Sequence, residues 1–197
     1  MCSSDLTRNQ LVDKLIPVAR DKTLFCFSAV FALSDYETVV PESIKRKWKH
    51  PYYLCMFHIA NLIKVNRSKF SFPSDEKVAF VFGRKPGFVG LLTDLYDQLK
   101  NTEAVGDILG KITIGTPEED TPLQAADLIC YLTRTFWEKE YFREGSAHPR
   151  TLQLLRELIR SKEFALEPHF LNYKALEEFV RVFSETRAEV GDWEWNS

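Results

Sequence analysis

The sequence predicts an α/β fold in which helices cover a sheet. Three observations carry this. Short apolar runs rich in β-branched and aromatic residues are interleaved with longer stretches whose apolar residues recur every three or four positions. The short runs are continuous rather than alternating, as in strands buried on both faces. Their order, strand then helix three times over, layers helices on a sheet.

Residues 9–19 open with a helical pattern, with Leu11, Leu15, Ile16 and Ala19 on one side. "KTLFCFSAVFAL" (22–33) is bounded by charge and by Ser34-Asp35, and reads as a long buried strand. Residues 52–64 place Leu54, Cys55, His58, Ile59, Leu62 and Ile63 at helical spacing. "KVAFVF" (77–82), ended by Gly83, reads as a central strand. Residues 87–101 form an amphipathic helix striped by Phe88, Leu91, Leu92, Leu95 and Leu99. "KITI" (111–114) is a third, shorter strand, and residues 121–137 are a helix. Helices over about 148–160 and 173–187 and an acidic, Trp-containing tail finish the chain. The expected division is an α/β domain over 1–145, a helical extension packed on it over 146–190, and a tail over 191–197.

A chain of 197 residues, 45% hydrophobic and with 15 Phe, can bury one substantial core. The formal net charge of -2 gives no global field toward nucleic acid or an anionic membrane, so a polyanion site must come from a local patch. The four cysteines, Cys2, Cys26, Cys55 and Cys130, form no CxxC pair and have no structural-zinc spacing. Three of them sit in apolar surroundings and read as reduced core thiols. The opening "MCSSDLTRNQ" lacks the apolar core of a signal peptide. The longest apolar run, 24–33, has about half the length that spans a bilayer. The expectation is a cytoplasmic protein with no membrane partner.

"TPLQAADLICYLTRTFW" (121–137) is the most informative stretch. Thr121 fits an N-cap, Pro122 the first helical position, and Gln124 the third position of a capping box. At about 100° per residue, Gln124, Asp127, Tyr131 and Arg134 fall on one narrow polar stripe of an otherwise apolar, interior helix. Two readings of Asp127 stand. It pairs with Arg134 or caps a neighbouring backbone, or it points into a cleft as a metal ligand or base. The helix dipole favours a carboxylate in the first turns either way.

"PLQAADLICY" resembles the motif Leu-Gln-x-Ala-Asp-Leu-Ile-x-Tyr of the family known as domain of unknown function 3800, whose fold is similar to ribonuclease H. "FCFSAVFALSDY", "HPYYLCMFHIANLI", "KVAFVFGRKPGF" and "KITIGTPEEDTPLQAADLICY" resemble further segments of that family in the same order, over roughly residues 10–140. The resemblance implies a ribonuclease H-like mixed sheet flanked by helices and a metal-dependent nuclease or phosphodiesterase site. Such chemistry gathers several carboxylates on two divalent cations, Mg²⁺ or Mn²⁺, about 4 Å apart. Asp127 matches the family's Asp on the last helix, as catalytic residue and metal ligand. Gln124 matches its Gln and would orient Asp127 or the scissile phosphate.

Two departures weaken the implied activity. The family's Asp-Glu-Ser-Gly strand has no counterpart here, so the sheet is expected to be incomplete at its N-terminal edge and open to a partner chain. The strand resembling "KVAFVF" ends in Gly83 where the family has Asp. Asp35, closing the first strand, is a candidate second metal ligand or an ordinary turn residue. Glu118, Glu119 and Asp120 form an acidic loop ahead of the helix, solvated or leaning over Asp127. The expected activity is therefore weak or lost, and the alternative is a non-enzymatic domain acting through protein or nucleic-acid association.

"IKRKWKHPYY" (44–53) supplies the candidate nucleic-acid contacts Lys45, Arg46, Lys47 and Lys49 beside Trp48, Tyr52 and Tyr53. The competing reading is a solvated loop with its rings turned inward. His58 reads as a hydrogen-bonded core histidine, and no Ser-His-Asp, Cys-His or P-loop arrangement is inferable.

Overall fold

The computed structural model describes residues 25–70, 72–73, 75–116, 120–142, 153–156 and 165–190. The expected helix at 9–19 and Cys2 lie outside these residues, as does most of the expected helix at 148–160, of which 153–156 are helical. The chain is α/β. In order it runs β1 (Phe25–Val30), α1 (Leu33–Val39), α2 (Glu42–Trp48), α3 (Tyr52–Val65), β2 (Val78–Gly83), α4 (Val89–Lys100), β3 (Leu109–Gly115), α5 (Thr121–Phe142), β4 (Ala165–Phe170) and α6 (Tyr173–Val190). None of the helices is long and apolar enough to cross a membrane, among the described residues.

The strands form two parallel pairs, β1 with β4 and β2 with β3. In the second, α4 is the crossover that returns the chain parallel to β2, as parallel pairing requires. A register shift between Val78 and Phe80 bends the pair at its start, and Gly83 ends opposite Gly115. Among the described residues, β1 and β2 are each hydrogen-bonded on one side only. Helix α5 touches both, and so crosses from one pair to the other.

Burial in β2 alternates strictly. Val78, Phe80 and Phe82 are half-buried, while Ala79, Val81 and Gly83 are exposed, as are Lys111 and Thr113 beside them on β3. The expectation of strands buried on both faces is thus corrected. Helix α4 covers one face of the β2–β3 pair, and its stripe of Leu92, Leu95, Tyr96 and Leu99 is fully enclosed there. On the other face Ala79, Val81, Lys111 and Thr113 are exposed.

The main core joins α1, α2, α3, α4, β3 and the start of α6. Trp48 is its largest fully buried side chain, stacked on Tyr53 at 5.5 Å and met edge-on by Phe179 of α6 at 5.7 Å. A smaller cluster joins Ala125, Leu128, Ile129 and Leu132 of α5 to Leu154 and Leu155, with Cys26 of β1 against it.

Several sequence expectations shift by local physics. The long strand at 22–33 is β1 only as far as Val30. The chain turns at Ala32 into α1, because Tyr36 and Val40 bury on the α-helical repeat. Asp35 therefore sits in the first turn of a helix, not at a strand end. Residues 42–48, read as loop, are helix α2, closed at Lys49 in the left-handed region (φ 59°). Residues 165–170, within the expected helical extension, are strand β4 paired with β1. Helix α3 ends where the side-chain amide of Asn66 donates to the Leu62 carbonyl at 2.9 Å, and α6 begins where Asn172 Oδ1 accepts from the Ala175 N–H at 3.0 Å.

Candidate functional site

Helix α5 is one-sided rather than interior. Ala125, Leu128, Ile129, Leu132 and Thr133 are buried, whereas Ala126, Asp127, Cys130 and Arg134 are exposed. Small and sulfur-bearing residues that scored as apolar in the sequence lie at the surface. Asp127 therefore bears no burial cost, and Arg134 is paired with Glu138 at 3.3 Å rather than with Asp127. Gln124, half-buried, is held by other contacts. The helix begins at Thr121, and the Asp120 carbonyl accepts from the Leu123 N–H at 2.9 Å. The cap thus falls one residue earlier than expected, and Gln124 is displaced from the capping-box position.

The start of α5 faces the C-terminal ends of β2 and β3, the edge where parallel strand pairs present ligands. The N–H of Arg84 donates to the Gly115 carbonyl at 2.8 Å, extending the pairing by one residue. The half-buried Asp120 lays its carboxylate directly on Gly115, where a Cβ would stand 1.9 Å from Oδ2. A side chain at 115 would make the Asp120 carboxylate swing away from the strand end. Gly83, opposite, carries no side chain and has open space around it.

The other wall comes from the corner between α2 and α3 and the loop before α4. His50 Nδ1 accepts from the Tyr52 N–H at 3.0 Å, fixing the imidazole at the start of α3. Phe88 meets His50 at 5.3 Å and Tyr52 at 5.6 Å, both edge-on. Lys85 Nζ lies over the Phe88 ring, 5.8 Å from its centre. Burial of its hydroxyl end raises the Tyr52 pKa first, then the neighbouring Cys130, Cys55 and Asp127 raise it further. Asp127 on α5 is thus within electrostatic reach of Tyr52 on α3.

Asp127 is within electrostatic reach of Tyr52 and Cys130, while Asp35 is within electrostatic reach of Tyr173, next to Glu177 on α6. Glu118 and Glu119 lie outside the described residues. Among the described residues, no three of His, Cys, Asp and Glu are grouped to hold a metal ion. The donors at the start of α5 are hard oxygens, suited to Mg²⁺ or Mn²⁺. One exposed carboxylate does not make the paired-cation site that ribonuclease H-type chemistry uses.

Of the expected nucleic-acid contacts, Lys45 is held by Glu37, at 2.6 Å to its carboxylate and 2.8 Å to its carbonyl, and Arg46 pairs with Glu42 at 3.6 Å. Lys47 and Lys49 are exposed. Trp48 and Tyr53 are turned into the core, and Tyr52 is 42% exposed. Phe88, Lys85 and His50 were not read as site residues. Lys85 and Phe88 are distant from Tyr52 in sequence, whereas His50 lies two residues before it, and only the fold sets the rings of His50, Tyr52 and Phe88 together.

A second cluster lies on α3. The Cys55 thiol donates to the Ala29 carbonyl at 3.7 Å, and His58 meets His169 of β4 at 5.1 Å. Burial pushes the Cys55 thiol up to about 12 and lowers His58 to about 4, with His169 adding to the latter. A protonated thiol beside a neutral imidazole is not a thiolate–imidazolium nucleophile. His58 Nε2 is buried with no hydrogen-bond partner, unlike the satisfied histidine expected. Because the unfolded pKa lies above the folded one, the unfolded chain binds the extra proton between them. Stability is complete above about pH 6.5 and falls as pH drops toward 4. Acid titration of the melting temperature should show this loss, about 1–2 kcal/mol given partial hydration of the ring, and His58→Gln should flatten it.

A comparison with family models, with curated proteins and with solved structures finds no match for this chain.

Proposed function

We propose that the chain is a ribonuclease H-like domain of nuclease type whose phosphodiester cleavage is weak or lost, with its residual site at the start of α5. One observation carries the reading. Asp127 is exposed in the second turn of α5, the helix whose entry at Asp120 meets the C-terminal end of β3 in the parallel β2–α4–β3 unit. The order of elements and the crossing of α5 from β1 to β2 support the architecture. Gly83, standing where an acidic strand end is expected, supports the weakness. Asp127 would hold one Mg²⁺ or Mn²⁺ weakly, with Gln124 beside it. The reading rests on Asp127 and leaves Asp35, which acts electrostatically on Tyr173, out of the ligand set. The setting is cytoplasmic in this reading, supported by the free thiols of Cys26, Cys55 and Cys130.

Calorimetric titration with Mn²⁺ tests it. Wild type should take up one ion with millimolar affinity, and Asp127→Asn should lose that uptake. Equal heats from both proteins would remove the metal site.

A second reading, association with nucleic acid without cleavage, is favoured by the exposed Tyr52 and the Lys85–Phe88 contact beside Asp127. It stands whether or not metal binds.

A further inference from the structure

We propose that Tyr52, braced edge-on by Phe88, forms a base-stacking shelf for single-stranded nucleic acid, with Lys85 and Lys49 on the flanking phosphates. The shelf names the contact surface for the association reading and rests on it. Tyr52 is 42% exposed on the first turn of α3, as Tyr173 is on α6, whereas Trp48, Tyr36, Tyr53 and Tyr96 are enclosed. Its contacts with Phe88 (87° between planes) and His50 (64°) are edge-type, so neither ring is stacked flat against it. A planar base can take that place.

The shelf is also rigid. His50 is pinned by the Tyr52 N–H, and Phe88 is placed by the turn in which its own N–H donates to the Lys85 carbonyl at 3.0 Å. Gly87, at φ +73°, makes that turn available to glycine far more readily than to other residues. Preordered rings lose little freedom when a base stacks on them.

Charge selects the partner. Lys49, next to His50 in the chain, and Arg84 and Lys85 are exposed, and Lys85 lies over Phe88. Cations beside exposed rings match a single strand, whose phosphates alternate with accessible π faces. The carboxylate of Asp127, close to the Tyr52 hydroxyl, repels phosphate. It favours the base over Tyr52 and the phosphate at Lys85. An acidic peptide would find the cations but no use for the rings. A duplex keeps its bases stacked and out of reach.

Fluorescence anisotropy with labelled 12-mers of deoxythymidylate and of uridylate tests the shelf, against a labelled duplex and across about 50–200 mM NaCl. Wild type should bind a single strand, with affinity falling as salt rises. Tyr52→Ala should weaken binding about tenfold, as the loss of one stacked base does. Tyr52→Phe should restore it, and Lys85→Gln should lower the salt slope by about one. The DNA and RNA strands separate the two sources of the same chemistry. Single-strand binding that Tyr52→Ala leaves unchanged would overturn the shelf while keeping association. An absence of single-strand binding by wild type would overturn both. Circular dichroism of Tyr52→Ala, whose replaced ring is exposed, confirms that the fold is kept.

Discussion

Trp48→Ala should lower the unfolding free energy by about 3–5 kcal/mol, the largest single effect expected in this chain. Trp48 closes α2, is wholly enclosed, and meets Tyr53 of α3 and Phe179 of α6 at once. Its removal leaves a void that three helices border, and close-packed helices collapse into such a void only in part. Urea denaturation followed by fluorescence and circular dichroism checks this, with Trp48→Phe as the milder comparison. A loss below 1 kcal/mol would mean that the α2–α3–α6 junction is not the centre of the core.

Gly106→Ala should also destabilise, by about 1–3 kcal/mol, through overcrowding rather than a void. The turn between α4 and β3 folds Gly106 back on the end of α4, its N–H donating to the Thr102 carbonyl at 2.8 Å. A Cβ there would stand 2.2 Å from the Lys100 carbonyl oxygen and 3.0 Å from its carbon. Both atoms are backbone at the last residue of a helix, so relief requires moving α4 or the entry to β3. Gly90→Ala is the internal control. It lies in the first turn of α4 with open space around it, so alanine should be neutral or stabilising by up to about 1 kcal/mol. The opposite signs of two identical substitutions, read from paired denaturation curves, isolate local crowding from helix propensity.

Much of the fold was legible because α4 buries one stripe, Leu92, Leu95, Tyr96 and Leu99, and a stripe at 3.6 spacing is visible in sequence. Strands β2 and β3 were visible through their β-branched and aromatic runs. Strand β4 was not, since "ALEPHF" has little β-branching and carries Pro168, which demotes a run to an edge or a non-strand. Helix α2 was hidden by its charges, because only Ile44 and Trp48 turn inward and four exposed or paired cations surround them. The exposed face of β2 was misjudged for a related reason. A continuous apolar run reads as buried on both sides, yet Val81 is 49% exposed.

The site was legible in part. Asp127 and Gln124 were placed on the correct helix, but composition could not show that Ala126 and Cys130 beside them face outward. The neighbours that give Asp127 a chemical setting, Tyr52 from α3 and Asp120 folded onto Gly115, come from separate elements. Nothing in the local pattern joins them. The same is true of Phe88, which the sequence assigned to a core stripe and which also meets the exposed Tyr52.

Paramagnetic broadening of backbone amide signals by Mn²⁺ maps the proposed site most directly. The account predicts broadening centred on residues 120–127 and on Gly83 and Arg84, abolished in Asp127→Asn, with the amides around Asp35 untouched. Broadening centred elsewhere, or unchanged by the substitution, would contradict it.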